Sequence, residues 1–96
     1  MFTYREFNSL TDFTEVLNDI LKEYSKEYNE FLKIAQNDEN AKFVIYEDFN
    51  RRIHAFPIPD CSDIDDFGDI FKRDRIITII DADIQITHYR IKKAEL

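Results

Sequence analysis

Apolar side chains recur at steps of three and four residues through the first third of the chain. The series runs from Leu10 to Ala35, and no Gly or Pro interrupts residues 10–36. This spacing places the apolar side chains along one face of an amphipathic helix. Ser9 is positioned to cap the first turn, with Asp12 at the third helical position. The pattern therefore predicts one long N-terminal helix.

The predicted helix is long for a domain of 96 residues. At about 1.5 Å per residue it forms a rod of roughly 39 Å. Either the end of this rod projects from the domain, or the helix breaks between Ser25 and Asn29. A projecting end would offer a seam for a second copy of the chain. The side chains in that seam are Tyr24, Tyr28, Phe31 and Leu32.

The apolar period shortens to two after residue 40, where β-branched and aromatic residues become frequent. Alternation of this kind is typical of β-strands. Four segments have the pattern, and they pair in chain order as two hairpins: residues 41–47 with 51–58, and residues 75–81 with 84–92. The third of these segments carries isoleucines on both faces, which indicates a central strand.

The order of these elements predicts an α+β fold in a single domain that spans residues 1–96. One long N-terminal amphipathic helix packs on a four-stranded antiparallel sheet made of the two hairpins. A short acidic helix or loop connects the hairpins. Residues 1–7 also alternate, so a short edge strand before the helix stays open as an alternative. No repeat or low-complexity linker indicates a second domain.

A cluster of aspartates lies between the two predicted hairpins. Residues 60–69 include five carboxylates and no Lys or Arg. Ile64, Phe67 and Phe71 have helical spacing, which favours a short amphipathic helix with its carboxylates facing solvent over a solvated loop. The five carboxylates are Asp60, Asp63, Asp65, Asp66 and Asp69.

A second row of carboxylates lies on the predicted long helix. Its members are four residues apart and so share one face. Like charges at this spacing repel each other and destabilise a helix, which favours a role in binding a partner. Carboxylates held at regular spacing can imitate nucleic-acid phosphates and bind the Lys and Arg side chains of a basic groove. The row consists of Glu15, Asp19, Glu23 and Glu27.

The overall charge supports a basic partner. The chain has 20 acidic and 13 basic residues, a formal net charge of -7. This excess disfavours direct binding to nucleic acid or to an anionic membrane. The predicted partner is therefore a basic protein, such as a nuclease or another nucleic-acid-binding protein, and the predicted oligomeric state is a monomer or a homodimer.

Residues that could support catalysis are few. His54 and His88 fall in different predicted hairpins, and Cys61 has no recognisable orienting partner. The lone Gly68 excludes a glycine-rich phosphate loop. The sequence therefore predicts no enzyme activity, no metal and no cofactor. A single cysteine, together with the lack of an apolar run of about 18 residues, predicts a cytoplasmic protein.

Three functions remain open from the sequence. The leading one is a small acidic inhibitor that binds and blocks a nucleic-acid-processing protein. In size and acidity the chain resembles phage-encoded inhibitors of host defence, such as anti-CRISPR and anti-restriction proteins, and bacterial immunity proteins; this resemblance covers composition only. The alternative is a non-catalytic structural or regulatory module that homodimerises through the long helix. The third is a divalent-ion-binding protein or small enzyme that uses Asp63, Asp65, Asp69 and His54.

Overall fold

The computed structural model describes residues 3–60 and 74–92, in which two helices pack on one face of a mixed β-sheet. The α+β prediction is confirmed. In chain order the elements are β1 (Thr3–Tyr4), β2 (Glu6–Phe7), α1 (Leu10–Glu23), α2 (Ser25–Ala35), β3 (Lys42–Glu47), β4 (Ile53–Ile58), β5 (Arg75–Asp81), β6 (Ile86–His88) and β7 (Arg90–Ile91). The predicted acidic helix or loop between the hairpins lies outside the described residues, apart from Asp60.

Helix α1 begins as the sequence predicts. Ser9 is extended, with φ -151° and ψ 164°, and its hydroxyl accepts a hydrogen bond from the backbone N–H of Asp12 at 3.1 Å. This bond satisfies one of the free N–H groups of the first turn. Phe13, Leu17 and Ile20 are buried, at the three- and four-residue spacing of the apolar face. The capping and the apolar face therefore agree with the sequence pattern.

The prediction of one long helix is wrong, because the chain bends at Tyr24 between α1 and α2. Tyr24 has φ -103° and ψ 34°, outside the helical region. Its hydroxyl donates a hydrogen bond to the carbonyl oxygen of Ile53 in β4 at 2.6 Å. A six-residue strand is about 20 Å long, so a straight rod of roughly 39 Å would overhang the sheet. The bend allows α2 to pack across β3 and β4 while α1 covers β2.

The hydrogen bond from Tyr24 predicts a loss of stability in alkaline solution. Burial raises the pKa of the Tyr24 phenol above its ordinary value of 10.0, and the charges of Glu23 and Glu27 raise it further. A raised pKa stabilises the folded state fully below pH 10, and this contribution is lost as pH rises through the folded-state pKa. We expect the stability difference between wild type and Tyr24→Phe to be about 1 kcal/mol at neutral pH and to shrink above pH 10.

Urea unfolding of both proteins at several pH values measures this difference. The pKa of Tyr46 is also raised, chiefly by burial, but Tyr46 is present in both proteins and cancels in the comparison. A stability difference that stays constant across the alkaline range would contradict the assignment to Tyr24.

The prediction of an antiparallel sheet is also wrong, because the sheet is mixed. Its strand order is β1-β5-β3-β4, and β6 pairs with β5 on the same edge as β1. β1 runs parallel to β5, and β2 and β7 form a separate parallel pair. The first predicted hairpin is present as the antiparallel pair of β3 and β4. The second is present only in part: β5 pairs antiparallel with β6, but the strand predicted at residues 84–92 is divided, and β7 pairs with β2 instead. Parallel strands need a long connection, and the two helices and the first hairpin provide it between β1 and β5.

The sheet is buried on both faces. On the helix face, the ring of Phe31 in α2 lies 5.6 Å from the ring of Phe43 in β3. On the opposite face, Val44, Ile76 and Ile79 are fully buried. A β-bulge between β3 and β5 allows Ile76 and Ile79, three positions apart, to face the same side. This burial agrees with the central position that the isoleucine pattern predicts for β5.

Thr78, beside the bulge, has a fully buried hydroxyl without a hydrogen-bond partner in the part of the chain that the structure describes. An unpaired buried hydroxyl costs about 1–3 kcal/mol. We therefore expect Thr78→Val, which removes the hydroxyl at nearly constant size, to raise the free energy of unfolding by about 1 kcal/mol. Thr78→Ser keeps the hydroxyl and loses a methyl group, so it should lower the free energy of unfolding. A valine variant less stable than wild type in urea would contradict this account.

Candidate functional site

Asp60 belongs to the predicted aspartate cluster and follows β4 at an exposed position. It has a φ of 52°, a left-handed conformation that Asp tolerates better than most residues. Its backbone N–H donates to Oδ2 of Asp38 at 2.6 Å, and Oδ1 of Asp38 accepts from the N–H of Asn40 at 2.9 Å. Asp38 therefore ties the end of β4 to the connection between α2 and β3. The rest of the cluster lies outside the described residues: Asp63, Asp65, Asp66 and Asp69.

The strand order brings further carboxylates to this end of the sheet. β3 lies between β4 and β5, and its first residue, Lys42, is opposite Ile58 of β4 and Asp81 of β5. Nζ of Lys42 is 2.9 Å from Oδ1 of Asp81. Asp83 follows in the turn after β5, and Glu39 precedes β3. We refer to the resulting set as the acidic end: Asp38, Glu39, Asp60, Asp81 and Asp83.

Sequence reasoning selected Asp60 but missed the other four residues of the acidic end. Asp38 and Glu39 lie in the connection after α2, whereas Asp81 is the last residue of β5 and Asp83 lies in the turn that follows it. The signal that unites them is the pairing of β3 with β5, strands from different hairpins. Register between such strands depends on the whole fold rather than on a local pattern.

The predicted row of carboxylates on the helix is divided by the bend. Glu15, Asp19 and Glu23 are exposed on α1, whereas Glu27 lies on α2 and is partly buried. The ion pairs of the described residues include none of these four side chains. The 11 residues of α2, about 16 Å of helix, separate the bend at Tyr24 from the acidic end. The structure therefore does not bring the helical row and the acidic end together into one surface.

The opposite end of the sheet carries most of the described arginines. Glu47 is buried there, and its Oε2 accepts a hydrogen bond from Arg5 at 3.2 Å while its Oε1 accepts from Arg75. Arg51 and Arg52 lie in the exposed turn between β3 and β4. The described arginines are therefore concentrated at the end of the sheet opposite the acidic end, where the carboxylates of Glu47 and Asp48 accompany them. Such a charge distribution orients an approaching charged partner.

Comparison with protein-family models, curated proteins and solved structures finds no match to this chain. Within the described residues, no helix is long and apolar enough to cross a membrane. The function is therefore inferred from the charge and shape of the described surface, where the acidic end brings together five carboxylates.

His54, a candidate in the ion-binding hypothesis, closes the turn between β3 and β4. Its Nε2 lies 2.9 Å from Oδ2 of Asp48, whose Oδ1 accepts from the N–H groups of Asn50 and Arg52, both at 2.9 Å. The hydrogen bond from His54, followed by that from the Arg52 N–H, lowers the pKa of Asp48. The described residues contain no group of three or more His, Cys, Asp or Glu arranged to hold a metal ion. The other proposed ligands lie outside them: Asp63, Asp65 and Asp69.

The seam predicted for a helix-mediated homodimer packs inside the protein instead. Phe31 is fully buried, and the ring of Tyr28 lies 5.4 Å from the ring of Phe43. Tyr24 and Leu32 are partly buried against the same core. The expectation of an exposed seam is therefore wrong, because the bend turns these side chains towards β3 and β4. The residues that motivated the dimer alternative are used in folding.

Proposed function

We propose that this protein is a small acidic inhibitor that binds a basic nucleic-acid-processing protein and blocks its nucleic-acid groove. The acidic end carries this proposal: five carboxylates lie there, and Lys42 forms a salt bridge with one of them, Asp81. Lys and Arg side chains that normally contact phosphates can form charge-assisted hydrogen bonds with carboxylates. The inhibitor would therefore compete directly with nucleic acid for the same basic groove.

The proposed contact surface consists of the acidic end and the four aspartates that follow Asp60 in the sequence. The helical row contributes long-range attraction, because exposed charges outside an interface chiefly accelerate association. This function would be similar to that of the anti-CRISPR, anti-restriction and immunity proteins that the chain resembles in size and acidity. The protein would act in the cytoplasm. The four aspartates are Asp63, Asp65, Asp66 and Asp69, and the row is Glu15, Asp19, Glu23 and Glu27.

The proposal is tested by capturing the partner and then measuring its activity. The immobilised protein is exposed to host lysate at low salt, and bound proteins are eluted at rising salt. Screening shortens the range of charge interactions to about 3 Å at 1 M salt, so a partner held by carboxylates elutes as salt rises. The eluted protein is then assayed for nucleic-acid binding and cleavage with and without the acidic protein.

We expect the captured protein to be basic and to lose nucleic-acid binding when the acidic protein is added. Adding excess nucleic acid should displace the acidic protein from its partner and restore the partner's binding to nucleic acid, because the two ligands compete for the same groove. A partner that binds nucleic acid equally well in the presence of the acidic protein would contradict the proposal. Light scattering on the free protein gives its oligomeric state. The stoichiometry of the complex can then be expressed per chain.

A further inference from the structure

A groove lies between the C-terminal end of α2 and the turn that joins β5 to β6. One part, a cavity of about 490 Å³, is lined by Ala35, Glu39, Lys42, Asp81, Ala82 and Asp83. The adjoining part, about 350 Å³, is lined by Leu32, Ala35, Gln36, Ala82 and Ile84. Ala35 and Ala82 line both parts, so the two cavities are neighbours, and we refer to them together as the groove.

The two ends of the groove differ in polarity. The larger part contains three carboxylates and one ammonium group, and that ammonium group, on Lys42, is already paired with Asp81 at 2.9 Å. Among the described residues Glu39 and Asp83 form no salt bridge, and Oδ1 of Asp83 accepts a hydrogen bond from the N–H of Gln85 at 3.3 Å. These two carboxylates are therefore the ones that can pair with a cationic ligand. The smaller part is mainly apolar, with Leu32 and Ile84 on its walls and Gln36 as its polar side chain. An occupant must therefore combine an apolar stem with a positive charge.

Ile84 gives the apolar part an unusual wall. Its φ is 64°, a left-handed conformation that is unfavourable for a β-branched residue and is normally occupied by Gly or Asn. The turn is closed by the hydrogen bond from the Ile84 N–H to the carbonyl oxygen of Asp81 at 2.8 Å. The side chain is 46% exposed, so its burial in the protein core does not explain the choice of isoleucine. At this position isoleucine extends the apolar surface of the groove.

We propose that the groove receives an arginine side chain from the basic partner, an inference that rests on the proposed function for the source of that arginine. The methylene stem packs against Leu32 and Ile84, and the guanidinium group lies between Glu39 and Asp83. Arginine has this combination of an apolar stem and a charged head. It is favoured over lysine because its planar group has five donors for two carboxylates and is less strongly hydrated than an ammonium group.

The test is an NMR titration of the ¹⁵N-labelled full chain with N-acetyl-arginine-N-methylamide. We expect shifts concentrated in residues 32–39 and 81–85, and no comparable shifts with the norleucine analogue, which has the stem without the charge. Glu39→Gln with Asp83→Asn should weaken arginine binding about tenfold. The matched control is Glu15→Gln with Asp19→Asn, which makes the same change of net charge on α1 and should change affinity less than about twofold.

Ile84→Asn tests the apolar wall without disturbing the turn, because Asn tolerates the left-handed conformation. We expect this variant to keep the wild-type spectrum outside the turn and to bind the arginine probe several-fold more weakly. Shifts spread evenly over the carboxylates of the whole protein would overturn the groove proposal. The proposal would also be overturned if N-acetyl-lysine-N-methylamide bound with the same affinity as the arginine probe, or if the Ile84→Asn variant bound the arginine probe like wild type.

The outcomes separate this inference from the proposed function. A captured partner whose binding is unchanged by Ile84→Asn would overturn the groove while leaving the inhibitor proposal in place. Conversely, site-specific binding of the arginine probe without any basic partner in the capture experiment would support the groove and contradict the inhibitor proposal.

Discussion

Neutralising the accessible carboxylates of the acidic end is expected to weaken binding to the basic partner about 100-fold. The variant combines Glu39→Gln, Asp60→Asn and Asp83→Asn. Each lost charge-assisted contact at a partly exposed interface costs about 1 kcal/mol, and about 1.4 kcal/mol corresponds to a tenfold change in affinity. Asp38 and Asp81 are left unchanged because they bond to the backbone of Asp60 and to Lys42 and so support the fold.

The matched control for this variant lies on α1. Glu15→Gln, Asp19→Asn and Glu23→Gln change the net charge by the same amount on an exposed face far from the acidic end. We expect this control to slow association and to change affinity only a few-fold. A third variant, Asp65→Asn with Asp66→Asn and Asp69→Asn, should abolish binding if the aspartate cluster belongs to the contact surface.

Titration calorimetry or surface binding with the captured partner, at one fixed salt concentration, measures all three affinities. Equal losses in the acidic-end variant and in the α1 control would show that net charge, rather than this surface, determines binding. Unchanged affinity in the acidic-end variant would contradict the inhibitor proposal as the structure supports it. The fold of each variant is checked by its urea midpoint.

The central strand was predictable from the sequence because its signal is local. The segment predicted at residues 75–81 has the same bounds in the structure, where β5 is the central strand. Side-chain alternation and isoleucines on both faces depend only on neighbours in the chain. The N-terminal cap at Ser9 was predictable for the same reason, since the bond to Asp12 spans three residues. Local physics thus determines where α1 and β5 begin.

The bend, the parallel pairings and the acidic end were not predictable, because each depends on contacts between distant residues. Tyr24 leaves the helical conformation while its hydroxyl bonds to Ile53, which is 29 positions away in the chain. The side-chain pattern of residues 3–7 would suit either strand direction, so it could not reveal the parallel pairing with β5 and β7. The carboxylates of the acidic end are united by the pairing of Lys42 with Asp81 across two hairpins. The site therefore follows from topology rather than from any motif.

The buried carboxylate of Glu47 is expected to destabilise the protein strongly when the two arginines that pair with it are replaced by uncharged residues. Glu47 is 5% exposed and joins Arg5, which follows β1, to Arg75, the first residue of β5. Removing the partners of a buried charge typically costs 3–5 kcal/mol. Both arginines are partly exposed, so solvent already weakens their attraction for Glu47, and we expect Arg5→Met with Arg75→Met to lower the free energy of unfolding by about 3 kcal/mol.

The control is the opposite change, which removes the buried carboxylate of Glu47 and keeps the two arginines. Glu47→Gln leaves two arginines that can turn towards water, so we expect it to cost only about 1 kcal/mol. Adding Glu47→Met to the two arginine changes removes the buried charge and should recover most of the lost stability, because apolar replacements of buried ion pairs are often close to neutral. Urea unfolding of the four proteins completes the comparison. If the double arginine variant were as stable as wild type, the Glu47 carboxylate would have to be hydrated rather than held by Arg5 and Arg75, and the ion pairs would not join β1, β3 and β5 at this end of the sheet.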